Sequence, residues 1–419
     1  MRSIKFYDII RCMFPSLLAP DSLFIRILVI AYDILYYTAF IWGPVLLVYI
    51  AQKYWLTYVR LKYIRKNYEF ILLEIKLPRT IDKSPAAMEL VLNVFHEGGG
   101  GNWYERWWQG KVRPWFSLEM VSVEGSFRFI IRTPAKFKKI IESVIYAQYP
   151  DIEVVEVQDY ISLAPYLHEK DEWTLWGCEF ALTKPDPYPI KTYVDFGLDS
   201  GLLKEEQKSD PITSTIEFMG SIGRGQQLWT QILIQPNVPR YKTPGTWFGK
   251  HDWKQEGKDL MKELQGKYSG EGNEKATKRQ AEVMAAIEKS LSKLGFDVGI
   301  RSLFIAKREN SDPSIIPGVA GTFRQFSSQD LNGFRPVNMP GFDYPWLDYK
   351  GIRQAKQKKE LYNAYVRRSY FYPPYKKKPF VLNTEELATI YHFPGGVSET
   401  PTFERIESRK GEPPANLPI

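Results

Sequence analysis

This sequence has little of what enzymes and secreted modules are recognised by. Only two cysteines occur in 419 residues, Cys12 and Cys178, too few for a disulfide framework and better suited to a reducing compartment. No Gly-x-x-x-x-Gly-Lys-Ser/Thr loop is present. The Gly-Lys pairs at Gly110, Gly249, Gly257 and Gly266 lack the upstream glycine and the following hydroxyl that cradle phosphates and Mg²⁺. There is no Gly-x-Ser-x-Gly elbow. The four histidines, His96, His168, His251 and His392, stand in no metal-ligand spacing. The run Gly98-Gly99-Gly100-Gly101 follows a helical pattern, the reverse of what a dinucleotide site needs. These gaps predict no catalytic residue, no cofactor and no metal, and hence not an enzyme.

What the chain does have is apolar material and positive charge. Hydrophobic residues make up 44% and aromatics 15%, enough for two or three cores, and the net charge is +8. From Leu23 to Ala51 the apolar run is broken only by Arg26 and Asp33. A helix of about 20 apolar residues crosses a bilayer, so residues 23–55 are predicted to be a transmembrane anchor preceded by an N-terminal segment, 1–22. The run is too long for the apolar core of a cleaved signal peptide, and no small-residue cleavage site follows it. Tyr36, Tyr37, Tyr49, Tyr54 and Trp55 suit interfacial belts. Lys53, Arg60, Lys62, Arg65 and Lys66 place the C-terminal side in the cytoplasm. Arg2, Lys5 and Arg11 pull the other way, so residues 1–20 stay open between an interfacial helix and one arm of a hairpin.

Beyond the anchor the periodicity reads β-α-β-β-α-β over residues 68–162. Ile71, Leu73, Ile75 and Leu77 alternate along a strand, and Ser84-Pro85 opens a helix. Strands follow at Phe116 to Val123 and Phe127 to Arg132, turning at Glu124-Gly125. Thr133-Pro134 starts a second helix that Pro150 stops. This order predicts a ferredoxin-like, split βαβ unit. A second such unit is predicted over 172–331, with a polar insertion at 237–273, a long helix capped by Gly295, and a last strand without a place. Residues 332–419 are rich in proline, glycine and basic residues and read as an extended basic C-terminal tail with one short helix, Arg353 to Arg367. The predicted class is therefore α+β.

Two regions are candidates for binding. Residues 350–378 interleave Arg353, Lys356, Arg367, Arg368, Lys376, Lys377 and Lys378 with aromatics that include Tyr370 and Tyr372. Basic grooves with stacking rings hold single-stranded nucleic acid. A solvated linker facing anionic lipid or a partner has the same composition. The second region, Asn102 to Trp115, carries Trp103, Trp107, Trp108 and Trp115, which suit either a protein-contact hot spot or a plug on the chain's own sheet edge.

Several strings carry a resemblance. Ser84-Pro-Ala-Ala-Met-Glu, Gly110-Lys-Val-Arg-Pro-Trp-Phe-Ser, Tyr146-Ala-Gln-Tyr-Pro and Gly299-Ile-Arg-Ser-Leu-Phe-Ile-Ala together resemble an uncharacterised bacterial membrane-protein family. That family is associated with conjugation-type, type IV secretion-like DNA-transfer ATPases. Leu382-Asn-Thr-Glu-Glu-Leu-Ala-Thr-Ile-Tyr-His-Phe-Pro-Gly, with Pro401-Thr and Pro413-Pro-Ala-Asn-Leu-Pro-Ile, is similar to the stretch that precedes the motor in coupling-protein-like ATPases. The chain ends at Ile419, about where a motor would begin. The resemblance thus implies a single-pass platform in the bacterial cytoplasmic membrane for a separate P-loop ATPase, with DNA and further copies of the chain as other expected partners. It implies partner contacts in Glu385, Glu386, Leu387, Tyr391, His392, Phe393 and Pro394. A membrane-tethered single-stranded nucleic-acid-binding protein without a motor is the rival reading.

Overall fold

The computed structural model describes residues 23–78, 83–97, 99–166, 172–199, 210–239, 241–242, 250–268, 277–342, 344, 346 and 348–395. The long apolar run forms one helix, α1 (Leu23–Asn67), with Pro44 inside it. Among the described residues nothing packs around the span: Ile34, Phe40, Val45, Leu47 and Val48 are all strongly exposed. Its polar side chains bond along the helix itself. Thr38 Oγ1 donates to the Ile34 carbonyl at 2.6 Å and the Trp42 indole donates to Leu35 at 3.1 Å. A helix that is apolar all round and self-satisfied is long and apolar enough to span a membrane. The helix continues to Asn67, twelve residues past the predicted anchor.

The chain divides into two units, Met1–Tyr63 with Trp103–Lys111, and Ile64–Asn102 with Val112–Ile419. In the first, α3 (Trp103–Trp107) follows the glycine loop. The second is built on one antiparallel sheet. Its strands are β1 (Phe70–Lys76), β2 (Phe116–Val123), β3 (Ser126–Pro134), β4 (Glu153–Val157), β5 (Trp173–Leu182), β6 (Gln226–Pro236), β9 (Gly295–Lys307), β10 (Phe334–Val337) and β11 (Phe380–Asn383). A two-strand hairpin, β7 (Tyr241–Lys242) and β8 (Lys250–His251), stands apart. The sheet order is β10-β5-β9-β6-β2-β3-β1-β4, with β11 added to β9. The first four strands thus lie as β2-β3-β1-β4, and the later set repeats that order in mirror image as β10-β5-β9-β6. Pairing of β2 with β6, from Phe116 opposite Ile234 to Val123 opposite Gln227, joins the halves. The β2–β3 turn comes at Glu124-Gly125, both at positive φ (52° and 90°), where glycine relieves the strain.

Helices α2 (Ala86–Val94), α4 (Lys138–Gln148), α5 (Pro211–Gly220), α8 (Ile316–Gly321) and α10 (Thr384–Ile390) cover one face. Met88, Leu92, Ile141, Ile216, Val319 and Leu387 pack there with Leu73, Phe129, Ile232 and Phe296. The other face carries a smaller core. Leu361 and Tyr365 of α9 (Ile352–Val366), with Tyr160, lie on Val121, Trp229 and Leu303. Alternation in β1 is as predicted: Leu73 and Ile75 enter the first core and Leu72 the second.

Three expectations change. The insertion at 237–273 contains a helix, α6 (Trp253–Tyr268), which packs on α7 (Lys278–Ser292). Gly295 does not cap α7. It opens β9, and a Cβ there would meet the Trp253 ring at 2.6 Å. The region from 332 is not an extended tail as far as Gly395. β10 supplies the missing edge strand on β5, and β11 extends the sheet on β9. Phe380, Leu382, Ile390 and Phe393 lie in the main core. Short apolar elements between polar stretches gave too weak a period to read.

Candidate functional site

The structure splits the basic stretch, residues 350–378, between surface and interior. Asp348 caps α9 by accepting from the Arg353 and Gln354 amides at 2.7 and 2.9 Å. From there Arg353, Lys356, Arg367, Lys376 and Lys378 are exposed, while Lys377 is half-buried, 5.2 Å above the Tyr375 ring. Lys356 reaches Glu360 at 3.9 Å, and the Arg353 guanidinium lies 4.9 Å over Phe342. The expected stacking rings face the other way. Tyr362, Tyr365, Tyr370 and Phe371 are buried. The half-buried Tyr372 hydroxyl accepts from the Arg113 amide and the Gln235 side chain, both at 3.1 Å.

Arg368 is the main correction. It is 1% exposed, and its backbone is left-handed at φ 47°. Its Nε and Nη2 donate to the two Glu119 oxygens at 3.0 and 3.2 Å, and Nη1 donates to Asp159 at 2.6 Å. Glu119, on β2, also accepts from Ser117 (2.7 Å), Tyr160 (2.8 Å) and Gln231 (3.0 Å). Tyr160 and Tyr365 hydroxyls meet at 2.7 Å. Burial alone would raise the Glu119 pKa, but the Arg368 guanidinium and these donors outweigh it and hold the carboxyl below its usual value. Burial drives the Tyr160 and Tyr365 hydroxyls well above the ordinary phenol range. Every nitrogen of Arg368 is engaged inside the protein, so it serves as an internal tie and has none left for a phosphate. Sequence reading missed Glu119, Asp159 and Tyr160. A carboxylate in an alternating strand looks solvent-facing, and only the buried arginine far along the chain makes it otherwise.

The seven C-terminal partner-contact candidates are also interior. Glu385, Glu386, Leu387, Tyr391, His392, Phe393 and Pro394 are all buried. Glu385 binds Lys293 at 2.6 Å and Lys289 at 3.0 Å, and accepts from Thr192 at 2.7 Å. Glu386 closes a capping box with Asn383 and accepts the Ile190 amide at 2.8 Å; burial pushes its carboxyl up to about 8. His392 lies between the Ala388 carbonyl (2.9 Å) and the Asp210 carboxylate (3.1 Å). Burial would raise the Asp210 pKa, but His392 and backbone donors reverse the shift and lower it. Thr192, Asp195, Lys289, Asn383 and Glu385 line a small open cleft of about 50 Å³, with the Lys289–Glu385 pair in its lining. Among the described residues no group of His, Cys, Asp or Glu is arranged to hold a metal ion. Cys178 is buried, its thiol pushed up to about 12.

The tryptophans divide as well. Trp115 is 6% exposed, packs on Phe70 at 5.0 Å, and donates its indole to the Arg368 carbonyl at 3.1 Å. Trp115 is thus buried inside its own unit, without the exposure that a partner contact needs. Trp103, Trp107 and Trp108 are exposed.

A family model described as a domain of unknown function (DUF8128) matches residues 75–405, most of the chain, and the chain belongs to that family. No curated protein matches the sequence.

Proposed function

We propose that this DUF8128 protein is a single-pass, membrane-anchored, non-catalytic platform subunit of the bacterial cytoplasmic membrane that recruits a separate type IV secretion-like translocation ATPase. The observation that carries the reading is the exposed, uncharged apolar stretch of α1, residues 34–52, which is of bilayer length and is followed within the same helix by Lys53, Arg60, Lys62, Arg65 and Lys66. We read the two sheet halves as ferredoxin-like units. Their mirrored strand orders and wholly antiparallel pairing support this, and their edge-to-edge fusion with the added β11 makes the sheet larger than a simple split βαβ. The sequence offers no phosphate-binding loop, so energy for transport would come from a partner.

Because residues 380–394 belong to the core, the motor-docking role passes to residues 396–419, which lie outside the described residues. The test is affinity purification of the full-length protein and of a variant lacking residues 396–419, both in mild detergent. The expected outcome is a P-loop ATPase that co-purifies with the full-length chain and is lost from a still folded, membrane-bound variant. Equal recovery with both rejects the docking segment, and recovery with neither rejects the motor.

The exposed Arg353, Lys356, Arg367, Lys376 and Lys378 favour a second reading, in which the tethered protein binds single-stranded nucleic acid. With Tyr362, Tyr365 and Tyr370 turned inward, such binding would rest on phosphate contacts. It would then weaken steeply with salt.

A further inference from the structure

The exposed tryptophans lie in the same unit as the apolar helix, and their placement there is specific. Gly110 adopts φ +72°, and a Cβ on it would meet the Val59 carbonyl carbon at 2.6 Å, so the loop backbone presses directly on the helix. The Trp108 and Trp55 rings lie 6.0 Å apart. The loop is closed on itself. The Lys111 amide donates to the Glu105 carbonyl at 2.8 Å, and the Lys111 ammonium pairs with the Glu105 carboxylate at 3.2 Å. So fastened, it leaves Trp103, Tyr104, Trp107 and Trp108 at 69, 52, 42 and 61% exposure, an apolar patch that costs free energy in water.

The height of this patch along α1 can be worked out. Residues 34–52 carry no charge and span about 28 Å at a helical rise of about 1.5 Å, close to the thickness of a hydrocarbon core. Trp55 stands three residues past Gln52, about 4.5 Å beyond the end of that run, close to Lys53, the first cation after it. The loop clamped between Trp55 and Arg60 is therefore at headgroup level, where indole rings are most favourable: an apolar body for the acyl boundary and an N–H for the wet side. Exposed Tyr54 and Tyr58 stand in the same turns of the helix.

We propose that α3 and its flanking tryptophans form a second membrane contact, lying in the headgroup–acyl boundary and fixing the depth and rotation of the anchor. The occupant of the patch is a lipid surface. This rests on the reading of α1 as a membrane span, and the experiment separates the two.

The full-length chain, with Cys12→Ser to remove the other thiol and the buried Cys178 left in place, is reconstituted into phosphatidylcholine–phosphatidylglycerol vesicles. It carries one nitroxide, on Trp107→Cys, on Val45→Cys or on Lys262→Cys. Collision with oxygen, which partitions into lipid, is compared with collision with a water-soluble nickel chelate. The expected pattern is strong oxygen preference at 45, intermediate at 107 and none at 262. A label at 107 as wet as that at 262, with 45 still in lipid, overturns the second contact and leaves the anchor standing. Water exposure at both 45 and 107 overturns anchor and contact together. Spin–spin broadening at 107 assigns the patch to a second copy of the chain and also overturns the proposal. Trp107 is an exposed residue outside both cores, so its replacement spares the fold.

Discussion

Residues 350–394 and residues 103–111 exchange the places their compositions suggest. The first stretch is basic and polar, yet Arg368, Ser369, Asn383, Glu385, Glu386 and His392 are buried in it. The second is the most tryptophan-rich stretch of the chain, yet Trp103, Trp107 and Trp108 face outward. Arg367 and Arg368 show the same contrast within two residues, one exposed and the other buried in a carboxylate network. Burial follows from what a side chain finds on arrival. A guanidinium enters the interior where Glu119 waits buried and the exposed Asp159 meets it from the surface. A ring stays outside where its backbone is clamped to an exposed helix.

The comparison breaks most visibly under truncation. Removing residues 380–419 takes away β11 and α10, and the chain is expected to lose cooperative unfolding and aggregate in detergent. Removing only 396–419 is expected to leave the unfolding midpoint unchanged, measured by tryptophan fluorescence in denaturant. If both variants melt like the full chain, the segment from 380 is not part of the core. Next in size is Arg368→Ala, which leaves the Glu119 charge buried without its partner. A loss of about 3–5 kcal/mol is expected, against less than about 0.5 kcal/mol for Arg367→Ala. Equal effects of the two would mean that the network contributes nothing.

Trp115→Ala is expected to cost about 3 kcal/mol by removing a packed indole and its hydrogen bond. Trp107→Ala should leave the same midpoint within about 0.5 kcal/mol. The smallest effect is a pH dependence. The folded-state pKa of Glu119 is lowered, so its contribution is complete above the carboxylate's unfolded value and is lost as pH falls through the lowered one. The denaturation midpoint should therefore fall from pH 5 toward pH 3. Part of that slope should vanish in Glu119→Gln, and an identical slope in the variant would remove Glu119 as its source.

Much of the fold was legible. The charge-free apolar run gave the span of α1, alternation gave β1, and the turn at Glu124-Gly125 marked β2 and β3. Helical spacing gave α2, α4, α5 and α7, each with a buried face. Legibility failed where elements are short. β10 and β11 have four residues each, too few for a period. The candidate surface was the least legible part. Charge and aromatic spacing located residues 350–378 but were silent about which side faced in. That choice depends on Glu119, more than 200 residues earlier in the chain.

The β2–β6 pairing has a mechanical meaning. A hinge between two domains needs a line along which few bonds must change, and here the line between the halves is a continuous backbone ladder. β9 carries the load further, bonded to β6, to β5 along most of its length, and to β11 at its start. A load on β11 is therefore spread across the central strands. The two halves behave as one stiff plate, and a partner pressing on it would displace the body as a whole instead of opening it.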